Sequence, residues 1–264
     1  MGLAVDTIGL YATNPGASGA AATVNSGDSL TVRAFTPSSY AGIEQLFSQA
    51  ATEGFVQIKS PRLHDNVRGL RFEASESPAG LLIPHDVYQP VFPQDTLAVT
   101  IGGGTAETDV AALQIGYDDL PGASARLHSW GDIAGNIEDL KYLTVANTPA
   151  AAGEWNDVAI TTTEDLLIAN RDYAVLGGMV DVACCAFGVK GAETANLRIC
   201  IPGVLRTEDT QDWFIRQSQR SGKPRIPVFN AANRFAFYAS LLQAGTTATN
   251  VQFLLALLAH NLTS

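Results

Sequence analysis

Alternating apolar and polar side chains dominate the first part of the chain. Leu30-Thr31-Val32-Arg33-Ala34-Phe35 and Phe55-Val56-Gln57-Ile58-Lys59 place an apolar residue at every second position, and residues 67–73 follow suit. A period of two turns one face of a strand to a core and the other to water, so each segment is expected to be a half-buried strand. Between the first two, Ile43, Leu46, Phe47 and Ala50 recur at helical spacing behind Pro37 and a serine, which predicts a helix over 38–51. Further on, 173–187 and 251–259 are apolar almost throughout. They read as strands buried on both faces, or with one face against a neighbouring subunit. Over 128–142, Trp130, Ile133, Ile137 and Leu140 fall on one helical face, which predicts a helix connecting two halves of the chain.

One short segment occurs twice. Gly104-Thr105-Ala106-Glu107-Thr108-Asp109-Val110 is echoed by Gly245-Thr246-Thr247-Ala248-Thr249-Asn250-Val251, identical at four of seven positions. Upstream, Pro90-Val91-Phe92 is matched by Pro227-Val228-Phe229, and Leu70-Arg71 by Leu197-Arg198. The offset grows along the chain, as it would if the second copy carried a longer loop over 207–225. In both copies the G-T-x-x-T-[D/N]-V segment joins two apolar runs, which predicts a hairpin whose glycine opens the turn. The expected fold is all-β: two tandem jelly-roll-like β-sandwiches from an internal duplication, with short helices and a linker helix. Eight short strands and one small helix would fit each copy. The expected boundaries are an N-terminal arm over 1–27, the first sandwich over 28–120, a linker with its helix over 121–154, and the second sandwich over 155–264.

Composition narrows the function. Of 264 residues, 46% are hydrophobic and 16% charged, which excludes a disordered chain and leaves room for surface hidden against other subunits. Net charge is −10, with no basic run near either end, so direct nucleic-acid binding is not expected. The first basic residue is Arg33, which does not suit a secretory leader, and the apolar stretch 253–259 is too short to span a bilayer. Cys184, Cys185 and Cys200 give no disulfide framework and are expected to be small buried thiols of a protein made in a reducing cytoplasm.

Several segments look chemical. Gly27-Asp28-Ser29-Leu30 matches the GDSL serine-esterase motif, whose serine needs a histidine base with an aspartate three residues before it. The residues three before His64, His85, His128 and His260 are Pro61, Leu82, Ala125 and Leu257, and a strand pattern rather than a helix follows Ser29. A Gly-Asp turn into a strand is the favoured reading. A two-domain cupin would need a His-x-His pair, and the histidines fall singly, so His64-Asp65 and His85-Asp86 read as surface pairs. Gly102-Gly103-Gly104 and Ser221-Gly222-Lys223-Pro224 do not make a phosphate cradle. No reaction can be assembled from these parts: the chain is expected not to be an enzyme and to need neither cofactor nor metal. One basic cluster, Arg216, Arg220, Lys223 and Arg225, lies in the longer loop of the second copy. It reads either as a solvated loop or as an intersubunit contact. With Trp213, Phe214 and the arm residues Leu3, Ile8 and Tyr11 it supplies the candidate contact residues. The arm reads either as lying along a neighbouring subunit or facing a membrane, or as a disordered tail.

Two tandem sandwiches, a linker helix and no catalytic set make this chain resemble the double jelly-roll major capsid proteins of icosahedral, tailless and often membrane-containing viruses and bacteriophages. The resemblance covers almost the whole chain, and it lies in organisation and the internal repeat rather than in a diagnostic motif. It implies a homotrimer of pseudo-hexagonal outline that tiles a virion shell after synthesis in a host cytoplasm. It also implies contacts with neighbouring capsomers, with other capsid or penton proteins and with an internal membrane. The chain is small for that family, so tall outer insertions are not expected. The alternative is a β-sandwich binding module of a viral fibre, spike or adhesin, recognising a glycan or receptor through Trp213 or the Asp118-Asp119 pair. A hydrolase acting through Ser29 stands third.

Overall fold

The computed structural model describes residues 2–13, 20–23, 31–49, 54–60, 62, 69–74, 79–81, 89–103, 108–160, 166–203 and 210–262. Gly27-Asp28-Ser29, His64 and His85 lie outside the described residues.

The first half contains β1 (Ala4–Thr13), β2 (Ala20–Thr23), β3 (Ala41–Gln49), β4 (Gly54–Lys59), β5 (Leu70–Ala74), β6 (Ala79–Leu81), β7 (Gln89–Pro90), β8 (Ala98–Gly103) and β9 (Thr108–Tyr117). They form two antiparallel sheets, ordered β1-β9-β3-β6 and β2-β8-β4-β5, with β7 also paired to β3. The second half contains β10 (Leu127–His128), α1 (Trp130–Ala134), β11 (Ile137–Asn147), β12 (Asn156–Ala159), β13 (Asp172–Val180), β14 (Ala186–Gly191), β15 (Arg198–Pro202), α2 (Trp213–Ser221), β16 (Ile226–Asn230), β17 (Phe237–Leu242) and β18 (Thr249–Leu258). Its sheets run β10-β16-β13-β18-β11 and β12-β17-β14-β15.

These orders define the fold. If β6 and β7 share the sixth place in the first half, and strands are counted from β11 in the second, both halves follow one path. One sheet holds the first, eighth, third and sixth strands; the other holds the second, seventh, fourth and fifth. That is the jelly roll, and it occurs twice. The three sequence matches fall on equivalent elements: Leu70 opens the fifth strand of the first half and Leu197 immediately precedes that of the second, Pro90 and Pro227 lie in the sixth, and Thr108 and Thr249 begin the eighth.

The strands flanking the G-T-x-x-T segment do not form a hairpin: β8 and β9 belong to different sheets, as do β17 and β18. The match also hides a slip of one residue. Val110 faces the other sandwich while its counterpart Val251 faces its own interior, because a one-residue change of register reverses every side chain of a strand.

Four further expectations are corrected. The arm over 1–27 is, in its described part, the first two strands: β1 pairs along its whole length with β9, and Ala4, Ile8 and Leu10 join the first core. The helix over 38–51 is β3. A bulge at Glu44 shifts the register between Ile43 and Gln45, so Ile43 and Leu46 both point inward while Phe47 points outward under the second half. A bulged strand buried on both faces thereby mimics helical spacing. The helix over 128–142 is confined to α1, capped by Ser129 and Asp132 and closed at Gly135. Pairing with β18 then takes over, so the expected linker contains the first strand of the second sandwich. Residues 31–35 are extended but bear only one bridge, Thr31 to Thr96, with Val32 and Phe35 buried.

In the second core, Phe229 stacks on Phe237 at 4.5 Å between ring centroids and on Tyr173 at 5.9 Å. The outer side of β13 is covered by the chain itself rather than by a neighbour. A Cβ at Gly177 would collide with the Thr210 carbonyl oxygen, and α2 buries Trp213 and Phe214 over the same sheet. Gly222, with φ of 64°, ends α2 in the left-handed region.

Candidate assembly surface

Alternation along β9 decides what faces what. Ala111, Leu113, Ile115 and Tyr117 point into the first core, whereas Val110, Ala112 and Gln114 point at the second sandwich. The residues directly opposite on β1, Tyr11, Gly9 and Thr7, do the same, as does Val5 opposite Gly116, and a Cβ on Gly9 would collide with the Trp155 indole nitrogen. This outer face meets the outer side of β14 and β15. Gln114 Oε1 accepts from the Cys200 amide at 3.1 Å, and the Thr7 hydroxyl donates to the Arg198 carbonyl at 2.9 Å. Gln49, at the far end of β3, donates to Ala183 O at 3.3 Å and accepts from Ala244 N at 2.8 Å. The seam is therefore apolar in the middle and stitched by amides at its ends.

Half of the expected basic cluster belongs to this seam. Arg225 forms a two-pronged ion pair with Glu44, its Nε donating to Oε2 at 2.9 Å, and both side chains are buried. Lys223 donates to Asp118 at 2.7 Å and lies over the Tyr40 ring at 4.6 Å. Glu44, Tyr40 and Asp118 all come from the first half, so these two cations clamp one sandwich to the other. Trp213, Phe214 and Ile8, expected to touch a neighbour, are core residues instead. Leu3 and Tyr11 are half-buried against the second sandwich. Of the cluster, only Arg216, paired with Asp212 on α2, and Arg220 remain exposed.

The residues that do face solvent were missed. On β11, Leu143, Val145 and Asn147 point inward, while Leu140 (53% exposed), Tyr142 (48%), Thr144 and Ala146 point out. Beside them a groove of about 280 Å³ is lined by Thr144, Met179, Val180, Asp181, Asn250 and Gln252. β11 holds the position in the second sandwich that β1 holds in the first. The outward face of β1 is covered; that of β11 is bare among the described residues. The signal was present in the alternation of 140–147, but the helical reading of 128–142 obscured it.

Potential chemistry lies elsewhere and is quiet. A larger groove of about 430 Å³ opens on the seam between Asp6, Thr7, Arg33, Gln94, Lys190, Asn196 and Arg198. Its cations are occupied: Arg33 pairs with Asp6, and Lys190 and Arg198 with Asp157. Burial pushes the Cys184 and Cys185 thiols far up and the Cys200 thiol up to about 12, the opposite of what a nucleophile needs. Among the described residues no three His, Cys, Asp or Glu side chains are grouped to hold a metal.

No family model and no curated protein matches the chain. Among solved structures, the STIV major capsid protein aligns over 96% of this chain and 97% of its own at 10% identity, with a TM-score of 0.20. The PBSX exported protein XepA aligns over 90% and 86% at 12% identity, with a TM-score of 0.21. The likeness to a capsid protein is weak, and neither superposition is close enough to bear on function.

Proposed function

We propose that this chain is a structural subunit of a virus shell, in which three copies close into a ring of six sandwiches. One observation carries the reading: the face of the first sandwich that the second covers has a counterpart on the second sandwich, along β11, that none of the described residues covers. A contact between unlike faces can be repeated head to tail, and such contacts close into rings when the rotation allows it. Leu140 and Tyr142 would then sit against the outer side of β4 and β5 in the next chain, the counterparts of β14 and β15, where Gln57 and Lys59 of β4 are only half-buried. Six sandwiches from three chains give the pseudo-hexagonal outline that tiles a closed shell, with like rings and other shell proteins as neighbours. Two sandwiches, with no catalytic set assembled among the described residues, suit a building block.

Light scattering on the purified protein tests the ring. Its expected mass is three times 27.8 kDa, and Leu140→Asp with Tyr142→Asp should leave the folded single chain. A wild-type protein that stays single at high concentration overturns the reading.

A further inference from the structure

In an antiparallel sheet, successive residues turn their N–H and C=O groups to opposite edges of the strand. On β18, Asn250 turns its pair toward β13: its amide donates to Asp181 Oδ1 at 2.7 Å, and its carbonyl accepts from Asp181 N at 3.3 Å. Ala146, opposite Asn250 on β11, therefore exchanges no bonds with β18. By the same alternation neither do Thr144 and Tyr142, opposite Gln252 and Leu254. Leu140 continues the series, and its amide is served by Asp139 Oδ1 at 2.9 Å. β11 is the last strand of its sheet, so the backbone groups of Tyr142, Thr144 and Ala146 point away from it. Among the described residues nothing bonds to these three amides and three carbonyls, and all three residues are exposed.

This free stretch has defined ends. Asp139 closes it on one side. On the other, Asn147 turns inward, its Nδ2 donating to Asn156 O at 3.1 Å and to Ala239 O at 3.2 Å. An open edge beside apolar side chains is a template for another strand, and proteins that leave one bare usually interrupt it with proline, a bulge or an outward lysine. Here no proline or bulge breaks 140–146, and Lys141 is tied to Asp139. Donor and acceptor pairs recurring in line about every 7 Å match an extended backbone rather than a small molecule. A second β11 would need a two-fold axis, which three copies around one ring do not offer; the choice of occupant, though not the edge itself, rests on that reading. We infer that β11 takes up, by strand addition along Tyr142 to Ala146, an extended segment of a different polypeptide. The apolar residues of that segment alternate, one set lying beside Leu140 and Tyr142.

Selection on the full chain from a display library of peptides of roughly seven residues, with Val, Ile, Leu, Phe or Tyr alternating with Thr, Lys or Gln, tests it. A selected peptide should slow hydrogen exchange at the Tyr142, Thr144 and Ala146 amides, while Leu143 and Val145, already bonded to β18, change little. Thr144→Pro removes one outward amide and leaves the β18 ladder intact. It should stay folded as judged by its thermal transition, show the wild-type mass in light scattering, and bind the peptide roughly tenfold more weakly. Thr144→Ala, which keeps the amide, should bind like the wild type, and Ala146→Pro repeats the test at the neighbouring outward amide. Ring formation uses the side chains of Leu140 and Tyr142 rather than these amides, so the two readings fail separately. A library that yields no binder, undiminished affinity in both proline variants, or unchanged exchange at the three amides overturns the inference. So does dimerisation without peptide that Thr144→Pro abolishes, which would assign the edge to a second copy.

Discussion

Arg225 and Glu44, 181 residues apart, form an ion pair between the two sandwiches in which their side chains are only 3% and 4% exposed. Glu44 reaches the seam because the β3 bulge turns it outward beside Gln45, and Arg225 comes from the turn that leads α2 into β16. Removing charges from water costs about as much as the pair returns, so its value lies in the arrangement it enforces. Glu44→Ala should lose about 3–5 kcal/mol in urea unfolding, because it strands a buried guanidinium. Glu44→Leu with Arg225→Met should recover most of that loss. A recovered fold that no longer forms rings would identify the pair as a device for orientation.

Two glycines make room at the seam. A Cβ at Gly116 would overlap the Glu44 carboxylate, and one at Gly9 would strike Trp155. Gly116→Ala and Gly9→Ala should each cost about 1–3 kcal/mol through forced displacement. Only Gly9→Ala should also change tryptophan emission, since Trp155 must move.

Stability should decline at both ends of the pH scale. Burial opposes the Asp157 carboxylate, but hydrogen bonds from Arg198, Ser240 and Lys190 outweigh it and hold its pKa below the ordinary 3.8. Its contribution is complete above that value and is lost as pH falls beneath it. Cys200 behaves inversely: burial raises its pKa from 9.0 to about 12, so its contribution is complete below 9.0 and disappears as pH climbs toward 12. Tm measured across both ranges checks this, and Cys200→Ala should flatten the alkaline decline.

The two sandwiches should unfold together. Val5, Phe47, Val110 and Ala112 of the first belong to the same apolar cluster as the core of the second. Calorimetry should show one transition, and Phe47→Ala should lower it as a whole, by about 3–5 kcal/mol. Two separated transitions would mean that the seam contributes little.

Sequence reasoning went furthest where a segment meets water on one side. β4 was legible because Val56 and Ile58 face the core while Gln57 and Lys59 do not. β3 was not, because both faces are covered and a bulge breaks its period of two; β13 was read as a strand buried on both faces, but its end was missed and 173–187 runs on into β14. The duplication was legible in a seven-residue match, yet the facing of Val110 and Val251 depends on register, which composition does not encode. For Arg225 the residue type was right for a contact, but the partner is Glu44 in the chain's own first half, and only pairing across more than a hundred residues could have revealed it. Trp213 instead packs with α2 over the sheet of its own half.

The seam lies within a single polypeptide, and that fixes how the protein answers to dilution. The local concentration of one sandwich around the other is set by the segment 118–136 joining β9 to β11, whatever the amount of protein present. Of the two kinds of joint in a closed ring, one would thus be guaranteed at synthesis and the other left to mass action. Disassembly by dilution would halt at the single chain and never release a lone sandwich.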